Sequence, residues 1–203
     1  MKTKLNTKQL VLLGLLTALL LIFSFTPIGT IPIGPLSITL NVIPVALAAI
    51  VLGPVGGATV GAVFGICSFL QCLGVGIPSG MGAILFEINP FLAFIQRFVP
   101  RILDGFLVGF IYKGASKLTG KYAGCFIAGF FSAFLNTLLF MTALVLLFGN
   151  TEYVSELIGG RNIFIFICSF VGINAVFEML ASTLITGAVG SALYKAKLIA
   201  QNH

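Results

Sequence analysis

Charge is what this chain has least of. Of its 203 residues, 8% are Asp, Glu, Lys or Arg and 59% are hydrophobic, whereas a soluble domain is about a quarter charged and near half apolar. That shortage excludes a water-soluble globular domain. Tryptophan is missing, which leaves the interfacial aromatic belt to Tyr112, Tyr122, Tyr153 and Tyr194. Histidine occurs once, as His203, so a Ser-His pair or a His-bound metal is excluded from the apolar body. A G-x-x-x-x-G-K-[ST] loop is missing too, so the chain does not bind ATP in a P-loop. The glycines of GVGIPSGMG (74–82) neither follow a strand nor open a dinucleotide unit. Cys67, Cys72, Cys125 and Cys168 lack C-x-x-C spacing and read as buried small hydrophobes. No catalytic residue, metal ligand or cofactor is expected, and the lysines cluster at helix ends, where they set orientation, rather than forming a nucleic-acid surface.

What remains is a series of long apolar runs, the mark of an all-α integral membrane protein. One membrane domain over 1–203 is expected, with helices over about 9–25, 41–53, 56–74, 91–113, 122–148 and 163–194. Lys2, Lys4 and Lys8 before the first run imitate a signal peptide, but no small-x-small site follows, so a retained first helix is expected. The break between the second and third helices rests on GPVGG at 53–57. With that break there are six spans and both termini are cytoplasmic. All eight lysines then lie in or beside the inner segments, and Glu87, Glu152, Glu156 and Arg161 lie in the outer loops. A five-span model would put Lys113, Lys117 and Lys121 on the side opposite the N-terminal lysines.

Several polar groups interrupt the apolar runs, where they are costly unless they face a cavity or a partner. Arg97, Arg101 and Asp104 are spaced i, i+4 and i+7, on one face of a helix that Pro100 bends. Asn136-Thr137, Asn174 with Glu178 one turn on, and Ser68 with Gln71 occur at similar depth. Together they form a candidate pocket for a small polar, anionic molecule, because the arginine fork pairs well with carboxylates. The plainer reading is that Arg101 and Asp104 neutralise each other while Asn174 and Glu178 tie helices together.

Two further patterns stand out. Gly53, Gly57, Gly61 and Gly65 recur every fourth residue, and Gly14 and Ala18 share the same spacing. Such stripes let helices approach closely, either within the subunit or against a partner. PIGTIPIGPL (27–36) is apolar yet rich in Pro and Gly, which suits a restricted outer loop over 26–40. Pro32, Gly34 and Pro35 are its candidate lid residues, and a rigid connector is the alternative.

Five stretches carry a resemblance that covers nearly the whole chain: FTPIGTIPIGPLSITLNVIPV (25–45), LGPVGGATVGAVFGICSF (52–69), INPFLAFIQRFVPRILDGFLVGFIYK (88–113), LNTLLFMTALVLLFGN (135–150) and GINAVFEML (172–180). In order and spacing they resemble the substrate-binding (S) components of energy-coupling factor (ECF) vitamin transporters, within them the pantothenate-type group. The resemblance implies a bacterial plasma-membrane protein that captures a vitamin outside and joins a coupling subunit and two ATPases. It also implies inward transfer by toppling in the bilayer. Arg101 would hold the pantothenate carboxylate and Asn136 the amide or a hydroxyl. Glu178 would accept from a hydroxyl, with Asn174, Arg97 and Gln71 nearby. Gly14, Ala18, Gly57, Gly61 and Gly65 would dock the coupling subunit. Asp104, Asn41 and Arg97 depart from the group's pattern and point to a related ligand as one alternative. Riboflavin, biotin or a pyrimidine precursor are others, as is a structural or assembly protein with no small ligand.

Overall fold

The computed structural model describes residues 7–33 and 36–198. Gly34 and Pro35 lie outside the described residues, and of Pro32 the backbone alone is described. The chain builds α1 (Thr7–Phe25), β1 (Thr30–Ile33), β2 (Leu36–Thr39), α2 (Val42–Cys72), α3 (Gly80–Ile88), α4 (Pro90–Thr119), α5 (Lys121–Phe148), α6 (Glu152–Ile158) and α7 (Ile163–Lys195). Among the described residues, four segments are long and apolar enough to cross a bilayer: Thr7–Phe25, Val42–Cys72, Lys121–Phe148 and Asn174–Lys195. α4 matches them with 30 residues but carries Arg97, Arg101 and Asp104 in its middle. The result is a multi-pass membrane bundle of helices.

α2 is one element on paper and two limbs in space. Gly53 adopts φ 78° and ψ −170°, a backbone that residues with a side chain rarely adopt, and Pro54 then restarts the helix without an N–H. Ala49 and Gly57, four residues either side of Gly53, face each other: a Cβ on Gly57 would lie 2.8 Å from that of Ala49. Eight residues along a straight helix would separate them by about 12 Å. The chain therefore reverses at GPVGG. The first limb, 42–52, rises about 16 Å, roughly half the ~30 Å hydrocarbon core. Every residue from Val42 to Val51 is buried, as expected of a helix that is hydrophobic all round.

The second limb packs against α4 through glycine. A Cβ on Gly57 would strike the Gly105 carbonyl, one on Gly61 the Arg101 carbonyl, and one on Gly109 would lie 2.5 Å from Pro54. Gly65 meets Phe98 in the same seam. This corrects the reading of Gly57, Gly61 and Gly65 as a partner-docking face: all three are buried inside this chain. Gly14 and Ala18 differ, since both are exposed and a Cβ on Gly14 would meet nothing within 4 Å. Cys168 corrects another expectation, being exposed where the other three cysteines are buried.

The two ends of the bundle are chemically distinct. At one end the Lys113 ammonium approaches Gly53 and Lys121 lies 5.0 Å from the Tyr194 ring centroid. At the other lie the hairpin and the short helices α3 and α6. The stretch read as an irregular loop is an antiparallel hairpin, pairing Thr30 with Thr39 and Ile33 with Leu36. Side-chain caps set the short helices: Ser79 Oγ accepts from Gly82 N and Thr151 Oγ1 from Val154 N. Asn89 Oδ1 accepts from Phe91 and Leu92 N, with Pro90 opening α4.

Candidate functional site

A cavity of about 90 Å³ lies beneath the hairpin, enclosed by α2, α4, α5, α7 and the 77–81 segment. That is room for several water-sized groups, since one water needs roughly 10–15 Å³ on this measure. Its wall includes all six residues singled out above: Gln71, Arg97, Arg101, Asn136, Asn174 and Glu178. They come from four helices, brought together because each sits on the inward face of its own helix.

The two arginines are held differently. Arg97 Nη1 donates to Ser68 Oγ at 3.4 Å and Nη2 to Ser79 Oγ at 3.1 Å, tying α4 to α2 and to the start of α3. Arg101 is 5% exposed, and its Nε and Nη1 have no hydrogen-bond partner. Its guanidinium instead lies over aromatic rings, 4.4 Å from the Phe140 centroid and 5.3 Å from that of Phe64. Asn136 Oδ1 is likewise buried without a hydrogen-bond partner. Polar groups left in this state are expensive to keep dry, and the N–H donors of Arg101 suit an anion with acceptor oxygens.

The acidic groups are placed otherwise. Glu178 Oε1 accepts from Thr39 N at 2.6 Å, fastening the root of the hairpin to α7. Gln71 Nε2 donates to the Ser24 carbonyl at 2.7 Å and so anchors the end of α1. Asp104 does not line the cavity. It shares the helix face of Arg97 but lies about 10 Å further along the axis, where Ser132 Oγ is 3.3 Å from its Oδ2 and 3.2 Å from the Val42 carbonyl. Asp104 Oδ1 has no hydrogen-bond partner. Asp104 thus meets a serine, and mutual neutralisation with Arg101 by direct hydrogen bonding is not what holds it.

Sequence reasoning missed several residues of the wall, among them Phe64, Phe140, Ser79, Met81, Val171 and the hairpin threonines Thr30 and Thr39. Part of this was within reach. Phe140 lies four residues beyond Asn136 and Phe64 four before Ser68, so extending each polar face by one turn finds both rings. Ser79 carries an N-cap signature. The threonines depend on strand pairing across 34–35, which no helical spacing reveals.

An apolar helical bundle with a polar cavity at one end, lined by cationic side chains, defines a membrane protein with room for a small polar ligand. The chain matches the family described as ECF transporter, substrate-specific component, over residues 8–190, and it belongs to that family. Over 99 residues it is 34% identical to a protein named pantothenate transporter PanT from Leuconostoc mesenteroides subsp. mesenteroides, covering 46% of this chain and 47% of that protein. The match spans about half the length of that curated relative.

Proposed function

We propose that this chain is a vitamin-uptake S component of a bacterial plasma membrane, with pantothenate as its ligand. One observation carries the reading: Arg101, whose buried Nε and Nη1 lack hydrogen-bond partners, lines a cavity that also holds Asn136, Asn174 and Glu178. Pantothenate has a carboxylate for the guanidinium, and an amide and two hydroxyls for the amide and carboxylate side chains. The name of the Leuconostoc relative supports the same ligand.

In this proposal the bundle makes six passes with both termini cytoplasmic, the second pass being the short buried limb 42–52 continued by the hairpin. Lysines at the end away from the cavity agree with that orientation. The hairpin covers the loaded cavity, and Gly14 and Ala18 face the coupling subunit. Two ATPases in the shared module supply the energy, and the loaded protein topples to release its ligand inside. Thermal unfolding of the purified protein with a vitamin panel tests the ligand assignment. Pantothenate is expected to raise the unfolding temperature by several degrees; stabilisation by riboflavin, biotin or a pyrimidine instead of pantothenate overturns it.

A further inference from the structure

Arg97 and Arg101 stand one turn apart on α4, and both guanidiniums lie over the same ring. The Phe140 centroid is 5.1 Å from Arg97 Cζ and 4.4 Å from Arg101 Cζ. Two like charges this close in an apolar bundle repel, and no carboxylate accepts a hydrogen bond from Nε or Nη1 of Arg101. Ser68 and Ser79 occupy both terminal nitrogens of Arg97. No serine or carboxylate does this for Nε or Nη1 of Arg101. What seats that guanidinium is aromatic: Phe140 first, then Phe64 at 5.3 Å.

An aromatic face attracts a cation through its quadrupole and consumes no N–H donor in doing so. A ring can therefore fix a guanidinium and still leave its hydrogen-bonding edge for a ligand. A serine or carboxylate in the same place would fix the group by spending that edge. Phe140 belongs to α5 and lines the cavity while 8% exposed, so its position is set by packing.

We propose that Phe140 is the positioning residue of this site: its ring seats both guanidiniums and keeps the donors of Arg101 free, which makes the site selective for a ligand bearing a carboxylate. The inference rests on the reading of this cavity as the pantothenate site and adds the residue that sets charge selectivity there. Arg97 is then the anchored member of the pair and Arg101 the member that meets ligand.

The test compares pantothenate with pantothenol, which carries CH₂OH in place of the carboxylate, on purified wild type, Phe140→Leu and Phe140→Tyr. Phe140→Leu is expected to weaken pantothenate about tenfold and pantothenol less than twofold. Phe140→Tyr, which keeps the ring, is expected to stay within about threefold of wild type for both. Phe64→Leu, which removes only the more distant ring, is expected to cost pantothenate about threefold. Equal weakening of acid and alcohol by Phe140→Leu means the ring only fills space, and overturns the proposal; so does no weakening at all. A ligand-free readout accompanies these: 2,3-butanedione modification of Arg101, followed by peptide mass spectrometry. Arg101 is expected to react several-fold faster in Phe140→Leu than in wild type or Phe140→Tyr, and equal rates overturn the proposal. If wild type binds neither compound, the pantothenate reading falls, and the modification rates still decide the role of Phe140.

Discussion

α4 uses its two sides in opposite ways. Toward α2 it presents mostly backbone: Gly105 and Gly109, with the backbone of Arg101, meet Gly57, Gly61 and Pro54 at backbone contact, and Phe98 packs on Gly65. Toward the cavity it presents its longest side chains, Arg97 and Arg101. The first contact is close-packed and tolerates no added atom; the second holds charge in loosely satisfied geometry. The difference teaches how a bundle with few polar residues can aim two arginines. Absence of side chains on one side fixes the helix backbone, and so fixes where the side chains on the other side point.

Substitutions on the two sides should therefore separate stability from binding. The largest effect is expected from Gly57→Val, whose Cβ would strike the Gly105 carbonyl. Overpacking of this kind costs about 3 kcal/mol or more, seen as a large fall in thermal unfolding temperature or loss of folded protein on size-exclusion chromatography. Next comes Glu178→Gln, which removes the charge from the bond to Thr39 N. A charge-assisted bond contributes about 1.5–3 kcal/mol, so weakening it should lower the unfolding temperature of the free protein by a few degrees and make ligand dissociation in stopped flow about tenfold faster. Ser79→Ala removes one of two hydroxyls on Arg97 together with the cap on Gly82 N and leaves Arg101 untouched; an affinity loss of about threefold in equilibrium binding is expected, with about 1 kcal/mol of stability lost with the cap. Gly14→Leu is expected to change free-protein stability by no more than about 0.5 kcal/mol, because its site on α1 is open. An equal effect of Gly57→Val and Gly14→Leu would erase the contrast on which the comparison rests.

The parts legible in the sequence were those governed by one helix at a time. GPVGG marks the reversal because Gly53 must take a positive φ and Pro54 cannot continue a hydrogen-bonded turn. The i, i+4 spacing places Arg97 and Arg101 on one face, and the structure sets that face on a cavity wall. The parts that stayed hidden depend on which surface meets which. A ladder of glycines announces close contact but not its partner, so Gly57, Gly61 and Gly65 pointed to another subunit when α4 was the surface they met. The hairpin hid because alternation is weak where Pro and Gly are dense. α3 and α6, with 9 and 7 residues, are too short for hydrophobic periodicity to stand out and are set by their caps. Asp104 shared a helical face with the arginines and still lay beyond the cavity, since angle around a helix says nothing about depth along it.

The central claim is that Arg101 is the anion-binding group of a pantothenate site. Isothermal titration of pantothenate into purified wild type and Arg101→Ala tests it most directly. The account predicts saturable one-to-one binding by wild type and a loss of about 100-fold or more in the variant, with the unfolding temperature of the ligand-free protein preserved. Equal affinity in the two proteins would contradict it, as would a wild type that binds no pantothenate.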